Sequence, residues 1–167
     1  MYDAILVALD GSDTASRAFD AALDLARLTG ANLQSIYVID IPAIAFDASG
    51  FDPSIVRTAL VDEGNRLSAD ARERMKQAGV SGSTRLVETS AVPADDVADC
   101  IQRVAREIGA GLIVMGTHGR RGVRRLMLGS VAERVLRGAP CPVLLVPASA
   151  TQMGVTHAAH AVDTPAT

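Results

Sequence analysis

The sequence predicts an α/β protein with an open, doubly wound, five-stranded parallel sheet and helices on both faces. Five short aliphatic runs alternate with amphipathic helical segments, an order that gives parallel strands joined by right-handed crossovers. The runs are continuously apolar, as suits strands covered on both faces. Apolar residues make up 49% of the 167-residue chain but aromatic residues only 3%, so aliphatic side chains must fill the core. A chain of this length fits one domain, placed at residues 1–147, with 148–167 read as a flexible tail.

Each element has its own signal. Tyr2 to Leu9 is the first strand, ending in Asp10-Gly11-Ser12, where Ser12 or Asp13 caps the next helix. In that helix Ala18, Phe19, Ala22, Leu23 and Ala26 share one face, and Gly30 stops it. Asn32 to Ile39 is the second strand. Asp40 to Pro53 is a long connection carrying Ile41, Ile44, Phe46 and Phe51, a composition that suits a lid. The helix from about Ser54 to Ala78 sets Val56, Leu60, Gly64, Leu67, Ala71 and Met75 in one stripe and ends at Gly79. Ser83 to Thr89 is the third strand. Pro93, Asp95 and Asp96 mark the first turn of a helix whose Val97, Ile101, Val104, Ala105 and Ile108 face the core. Leu112 to Met115 is the fourth strand, Ser130 to Leu136 a helix, and Pro142 to Pro147 the proline-bracketed fifth strand. Beyond it the chain is rich in Ala and Thr and has no periodicity.

Composition narrows the function. A net charge of −3 argues against sequence-independent binding of polyanions, and the scarcity of aromatics argues against stacking on single-stranded nucleic acid. Arg120, Arg121, Arg124 and Arg125 form one local basic patch. Cys100 and Cys141 lack CxxC spacing and read as reduced core residues, which together with the lack of a signal pattern predicts a cytoplasmic protein. No apolar run reaches transmembrane length, so no membrane association is expected.

The strongest chemical signal follows the fourth strand. Gly116 and Gly119 lie three apart, and Gly129-Ser130 follows after nine residues, where Ser130-Val131-Ala132-Glu133 offers a capping-box start to a helix. A lone Gly-x-x-Gly is usually just a turn. The full G-x2-G-x9-G-S pattern between strand and helix points to phosphate held by backbone N–H groups at a helix N-terminus. It is not a Walker motif, because the only lysine is Lys76 inside a helix, and the first strand–helix turn reads Asp10-Gly11-Ser12 instead of the dinucleotide fingerprint. Asp10 suits ribose hydroxyls or a metal, although alone it reads as a turn residue, and it meets the glycine loop only if strands one and four are neighbours. His118 comes with no obvious Ser or Cys partner and reads as a loop position whose backbone matters. His157 and His160, in the tail, read as unstructured. No catalytic residue and no metal site is assigned.

The strand Ile5 to Ser12, the block Leu112 to Ser130 and the ending Ala139-Pro140-Cys141-Pro142-Val143-Leu144-Leu145-Val146-Pro147 resemble the universal stress protein family, over residues 1–147. The resemblance implies a parallel sheet in the order 3-2-1-4-5 and membership of the nucleotide-binding branch, which carries the glycine motif. Carried over by position, Ala8, Leu9 and Asp10 would line the adenosine end, Val38 would contact adenine, and Met115 would flank it. Gly116, Thr117, His118, Gly119, Gly129, Ser130 and Val131 would hold ribose and phosphates. The chain departs from the family at Gly111, where many relatives have Asp, and around Ser90-Ala91, where a Gly is common.

The expected function is an ATP-binding stress regulator, with AMP or ADP as alternative ligands, Mg²⁺ as an accompanying ion and hydrolysis slow or absent. Its output would pass through an unknown protein partner or through assembly, the latter as a homodimer on Val143, Leu144, Leu145 and Val146. Competing readings are a slow Mg²⁺-dependent ATPase or phosphotransferase using Asp10 and Ser130, an interaction protein with an empty pocket, and a flavin module of similar fold.

Overall fold

Five strands and four helices alternate among residues 2–41, 52–90, 95–119 and 128–147, the parts of the chain described by the computed structural model. They are β1 (Ala4–Leu9), α1 (Asp13–Thr29), β2 (Asn32–Ile39), α2 (Pro53–Gln77), β3 (Gly82–Glu88), α3 (Val97–Glu107), β4 (Leu112–Gly116), α4 (Ser130–Gly138) and β5 (Val143–Val146). Every strand pair is parallel and the order across the sheet is β3-β2-β1-β4-β5, as expected. Ile44, Phe46 and Phe51 of the expected lid, Pro93, the four arginines of the basic patch and the tail lie outside the described residues.

Alternation along the strands divides the core into two layers. Ile5, Val7, Leu33 and Val114 pack with Phe19 and Ala22 of α1 and Ala71 and Met75 of α2. Leu6, Ile36, Ile113 and Met115 pack on the other face with Ile101 and Val104 of α3 and Val135 of α4. Ile5, Leu6 and Val7 are therefore all fully buried, which is why β1 reads as an unbroken apolar run. On α2 the stripe divides: Gly64, Ala71 and Met75 are buried, whereas Val56 and Leu60 line a cavity described below. Gly64 is demanded by the buried Tyr37, since a Cβ there would sit 2.7 Å from the ring. At Gly111, the family departure, Tyr2 comes within 3.2 Å of where a Cβ would be.

The helix starts correct two expectations. α3 begins at Val97, so Asp95 and Asp96 precede its first turn. Asp96 is the N-cap, accepting the Asp99 N–H at 3.0 Å while the Asp99 carboxylate accepts the Asp96 N–H at 3.1 Å. At α4 the N-cap is Gly129, with no side-chain cap bond, and Ser130 is already helical. The Ser130–Glu133 box therefore does not form, because a box pairs the N-cap with the third helical residue, here Ala132. Glu133 pairs with Arg137 instead.

Cys100 and Cys141 are free thiols; Cys100 is buried, as expected of a core residue, whereas Cys141 is only half-buried. Burial first, and the Asp95 carboxylate second, push the Cys100 thiol up to about 11, so it remains neutral at physiological pH.

Candidate functional site

β1 and β4 are neighbours, with Ile5 opposite Leu112 and Val7 opposite Val114. From their carboxyl ends the chain departs to opposite faces, through α1 after β1 and through α4 after β4. This divergence opens the crevice in which doubly wound sheets bind ligands. It holds a cavity of about 580 Å³, within the ~300–1,000 Å³ typical of small-molecule sites. Ala8, Leu9, Asp10, Val38, Met115, Gly116, Thr117, His118, Gly119, Gly129, Ser130 and Val131 all line it, so the positions singled out from sequence converge on one space.

The β1 end is shaped by a tight turn. Gly11 has a φ of 80°, which side chains other than Gly rarely adopt, and this turns the chain from strand to helix. Asp10 Oδ1 accepts the Ser12 N–H at 2.9 Å and lies 2.6 Å from the Ser12 hydroxyl, while Ser12 Oγ caps α1 by accepting the Ala15 N–H at 3.2 Å. One carboxylate oxygen thus does the turn work expected of an isolated Asp. The other, Oδ2, lies toward Gly119, 2.7 Å from where a Cβ would be.

On the β4 side the glycines are set by close approach. Gly116, Gly119 and Gly129 have no positive φ, so their backbone conformation does not itself require glycine. What excludes a side chain is space. A Cβ would meet Thr14 Oγ1 at 2.7 Å from Gly116, the Asp10 carboxylate from Gly119 and the Thr117 carbonyl at 3.1 Å from Gly129. The Thr117 N–H donates to Val146 at the end of β5 (2.9 Å), and the Thr117 carbonyl accepts the Gly129 N–H (2.8 Å), so the loop is pinned to the edge strand and to the α4 start. His118 Nδ1 lies 2.9 Å from Thr117 Oγ1, and its buried Nε2 has no partner among the described residues.

Helix α4 completes the polar side of the cavity. Its first i to i−4 bond is Glu133 N–H to Gly129 C=O, so the N–H groups of Ser130, Val131 and Ala132 have no partner within the helix. All three residues line the cavity, and Gly129 offers no side chain to cap them. The positive end of the helix dipole therefore faces the cavity and favours an anion.

The remaining lining is mainly apolar and was not assigned to a site from sequence. Ile36 comes from β2, Val56 and Leu60 from α2, and Val97 and Ile101 from α3. Each carried a helix or strand periodicity signal, which marks a core-facing side chain but not whether core or cavity receives it. Asp40, next after β2, adds a second carboxylate, and its position just past a strand's carboxyl end was the available signal. Among the described residues no group of three or more His, Cys, Asp or Glu could hold a metal ion, and no helix is long and apolar enough to cross a membrane.

The universal stress protein family model matches residues 1–147, the whole of the region that forms this sheet and cavity. The chain belongs to the universal stress protein family. It is 35% identical over 147 residues to a universal stress protein of Methanocaldococcus jannaschii, covering 87% of this chain and 82% of that one. A universal stress family protein of Burkholderia pseudomallei has a similar structure, at 52% identity and a TM-score of 0.74, covering 88% of this chain and 97% of the other. A universal stress protein of Archaeoglobus fulgidus, solved in complex with dAMP, matches at 25% identity and a TM-score of 0.62, covering 87% and 98%.

Proposed function

We infer that this universal stress protein binds an adenine nucleotide in the crevice between β1 and β4, ATP foremost, with AMP or ADP as alternatives. The observation that carries this reading is the meeting, in one cavity, of an uncapped helix start, a glycine loop, a carboxylate and an apolar wall. Phosphates suit the N–H groups of Gly119, Ser130 and Val131, and ribose hydroxyls suit the Asp10 carboxylate. The purine suits the apolar wall of Val38, Ile101 and Met115, where ring burial supplies affinity and polar edges supply orientation. The dAMP complex of the Archaeoglobus relative supports an adenine nucleotide. Mg²⁺ would arrive on the nucleotide's phosphates, near the carboxylates of Asp10 and Asp40, since the described residues form no metal cluster of their own.

The chain acts as a cytoplasmic regulator whose nucleotide state changes its assembly or its protein partner, with little or no hydrolysis. Its assembly is a homodimer through β5. The cavity supports binding better than turnover: His118 Nδ1 is engaged by the neighbouring Thr117 hydroxyl, and among the described residues no carboxylate meets Nε2 to orient the ring as a base. Denaturing the purified protein and identifying the released small molecule tests the reading. An adenine nucleotide supports it and a flavin overturns it. If nothing is retained, calorimetric titration decides, and protein that takes up neither ATP nor AMP overturns it.

Asp10→Ala is expected to weaken ATP binding by about 1–3 kcal/mol, the cost of losing a charged hydrogen-bond partner. Adenine contacts would remain, so residual binding persists. Equal calorimetric affinity of the two proteins would reduce Asp10 to the turn residue that its Ser12 bonds already make it.

A further inference from the structure

Thr14 lies on α1 and has no place in the motif, yet it joins the two halves of the crevice. Its side chain is buried, with 5% exposure, and it does not line the cavity. Its hydroxyl donates to the His118 carbonyl, a contact spanning 104 residues of sequence. A carbonyl only accepts, so the single Thr14 proton is committed to His118. Ser12 Oγ, 3.0 Å from Thr14 Oγ1, can then only donate its own proton, either to Thr14 or to Asp10. When Ser12 Oγ donates to Thr14, the Ser12 N–H still donates to Asp10, and the chain Asp10, Ser12, Thr14, His118 ties the carboxylate at the end of β1 to the backbone of the loop after β4. Gly116 is glycine for the same reason, because a Cβ there would fall 2.7 Å from Thr14 Oγ1 and 2.8 Å from Thr14 Cβ.

The consequence follows from peptide geometry. In a trans peptide the C=O of one residue and the N–H of the next point in opposite directions. The His118 carbonyl points at Thr14, which does not line the cavity, so the Gly119 N–H of the same peptide unit points away from Thr14. Gly119 lines the cavity, and without a side chain nothing of its own screens that N–H. We propose that Thr14 is a positioning residue for the glycine loop, holding the His118–Gly119 peptide in the orientation that presents the Gly119 N–H to the ligand's phosphates. Without the Thr14 hydroxyl the peptide is free to rotate, and a carbonyl oxygen turned into the cavity would repel the anion that the N–H attracts. Thr14 therefore serves phosphate affinity and leaves the nucleoside contacts alone.

This inference rests on the nucleotide reading, and its test separates the two. ATP and adenosine are titrated calorimetrically into wild type, Thr14→Val, which keeps the shape and removes the hydroxyl, and Thr14→Ser, which keeps the hydroxyl. Thr14→Ala is the further variant, because it removes atoms without adding any. The expected result is an ATP affinity about tenfold lower in Thr14→Val and Thr14→Ala, adenosine affinity unchanged, and ATP affinity restored in Thr14→Ser. An equal loss for ATP and adenosine would make Thr14 merely structural and overturn the proposal. So would undiminished ATP affinity in Thr14→Val, or failure of Thr14→Ser to restore it. Wild-type protein that binds neither compound overturns the nucleotide reading itself, and the positioning role with it.

Discussion

Gly119→Glu is expected to abolish ATP binding while the fold survives. The backbone at Gly119 is not left-handed and the residue is exposed, so a side chain there strains no core packing. Its Cβ, however, would fall 2.7 Å from Asp10 Oδ2, and its carboxylate would bring a second negative charge into a cavity whose helix dipole and N–H groups suit an anion. Like charges brought together at a binding site cost several kcal/mol, so an affinity loss of more than about 100-fold is expected. Asp10 must shift to admit the side chain, so nucleotide-free stability should fall by about 1 kcal/mol, the ordinary cost of a point substitution, and the fold survives. Calorimetry with ATP, paired with thermal unfolding of both proteins, checks the prediction. A folded variant with undiminished affinity would show that the loop does not hold phosphate.

The second large effect concerns assembly. Among the described residues β5 is the edge of the sheet, paired with β4 alone, and its four residues lie between Pro142 and Pro147. An aliphatic edge with unpaired N–H and C=O groups invites pairing with a second copy, and an antiparallel β5 pair across a two-fold axis would close the assembly as a dimer. The side chains of β5 do not contribute alike. Val143 and Leu145 pack against the α3 and α4 layer, and Val146 against the α1 layer, whereas Leu144 is 37% exposed. A charge at Val143 or Leu145 would damage the protomer itself and confuse the result. Leu144→Lys places a charge on the exposed edge, the device by which natural sheets avoid pairing. Sedimentation at micromolar concentration is expected to give a dimer for wild type and a monomer for Leu144→Lys. A monomeric wild type in the presence of ATP, or a variant as dimeric as wild type, would exclude this edge as the interface. The Thr117 N–H bond to Val146 places the glycine loop one hydrogen bond from that edge.

The sequence by itself determined the alternation of strands and helices, the five parallel strands and most element limits, because these depend on local periodicity and on caps such as Ser12 and Gly30. The glycine motif was legible for the same reason: its spacing lies within one stretch of chain. Topology decided the rest, since it determines which distant side chains share a space. Gly116 reads from sequence as a place where phosphate approaches closely, yet the atoms nearest its missing Cβ belong to Thr14, on a helix near the start of the chain. Val56 and Leu60 carry the same helical stripe as Ala71 and Met75, but the stripe runs past the ends of the strands, so its first turns meet the cavity and its last turns meet the core. Ser130 matched a capping box that its helical backbone forbids, leaving the helix start uncapped and the nearby N–H groups without intrahelical partners. Periodicity tells a side chain which way to face, and only the folded sheet determines what it meets there.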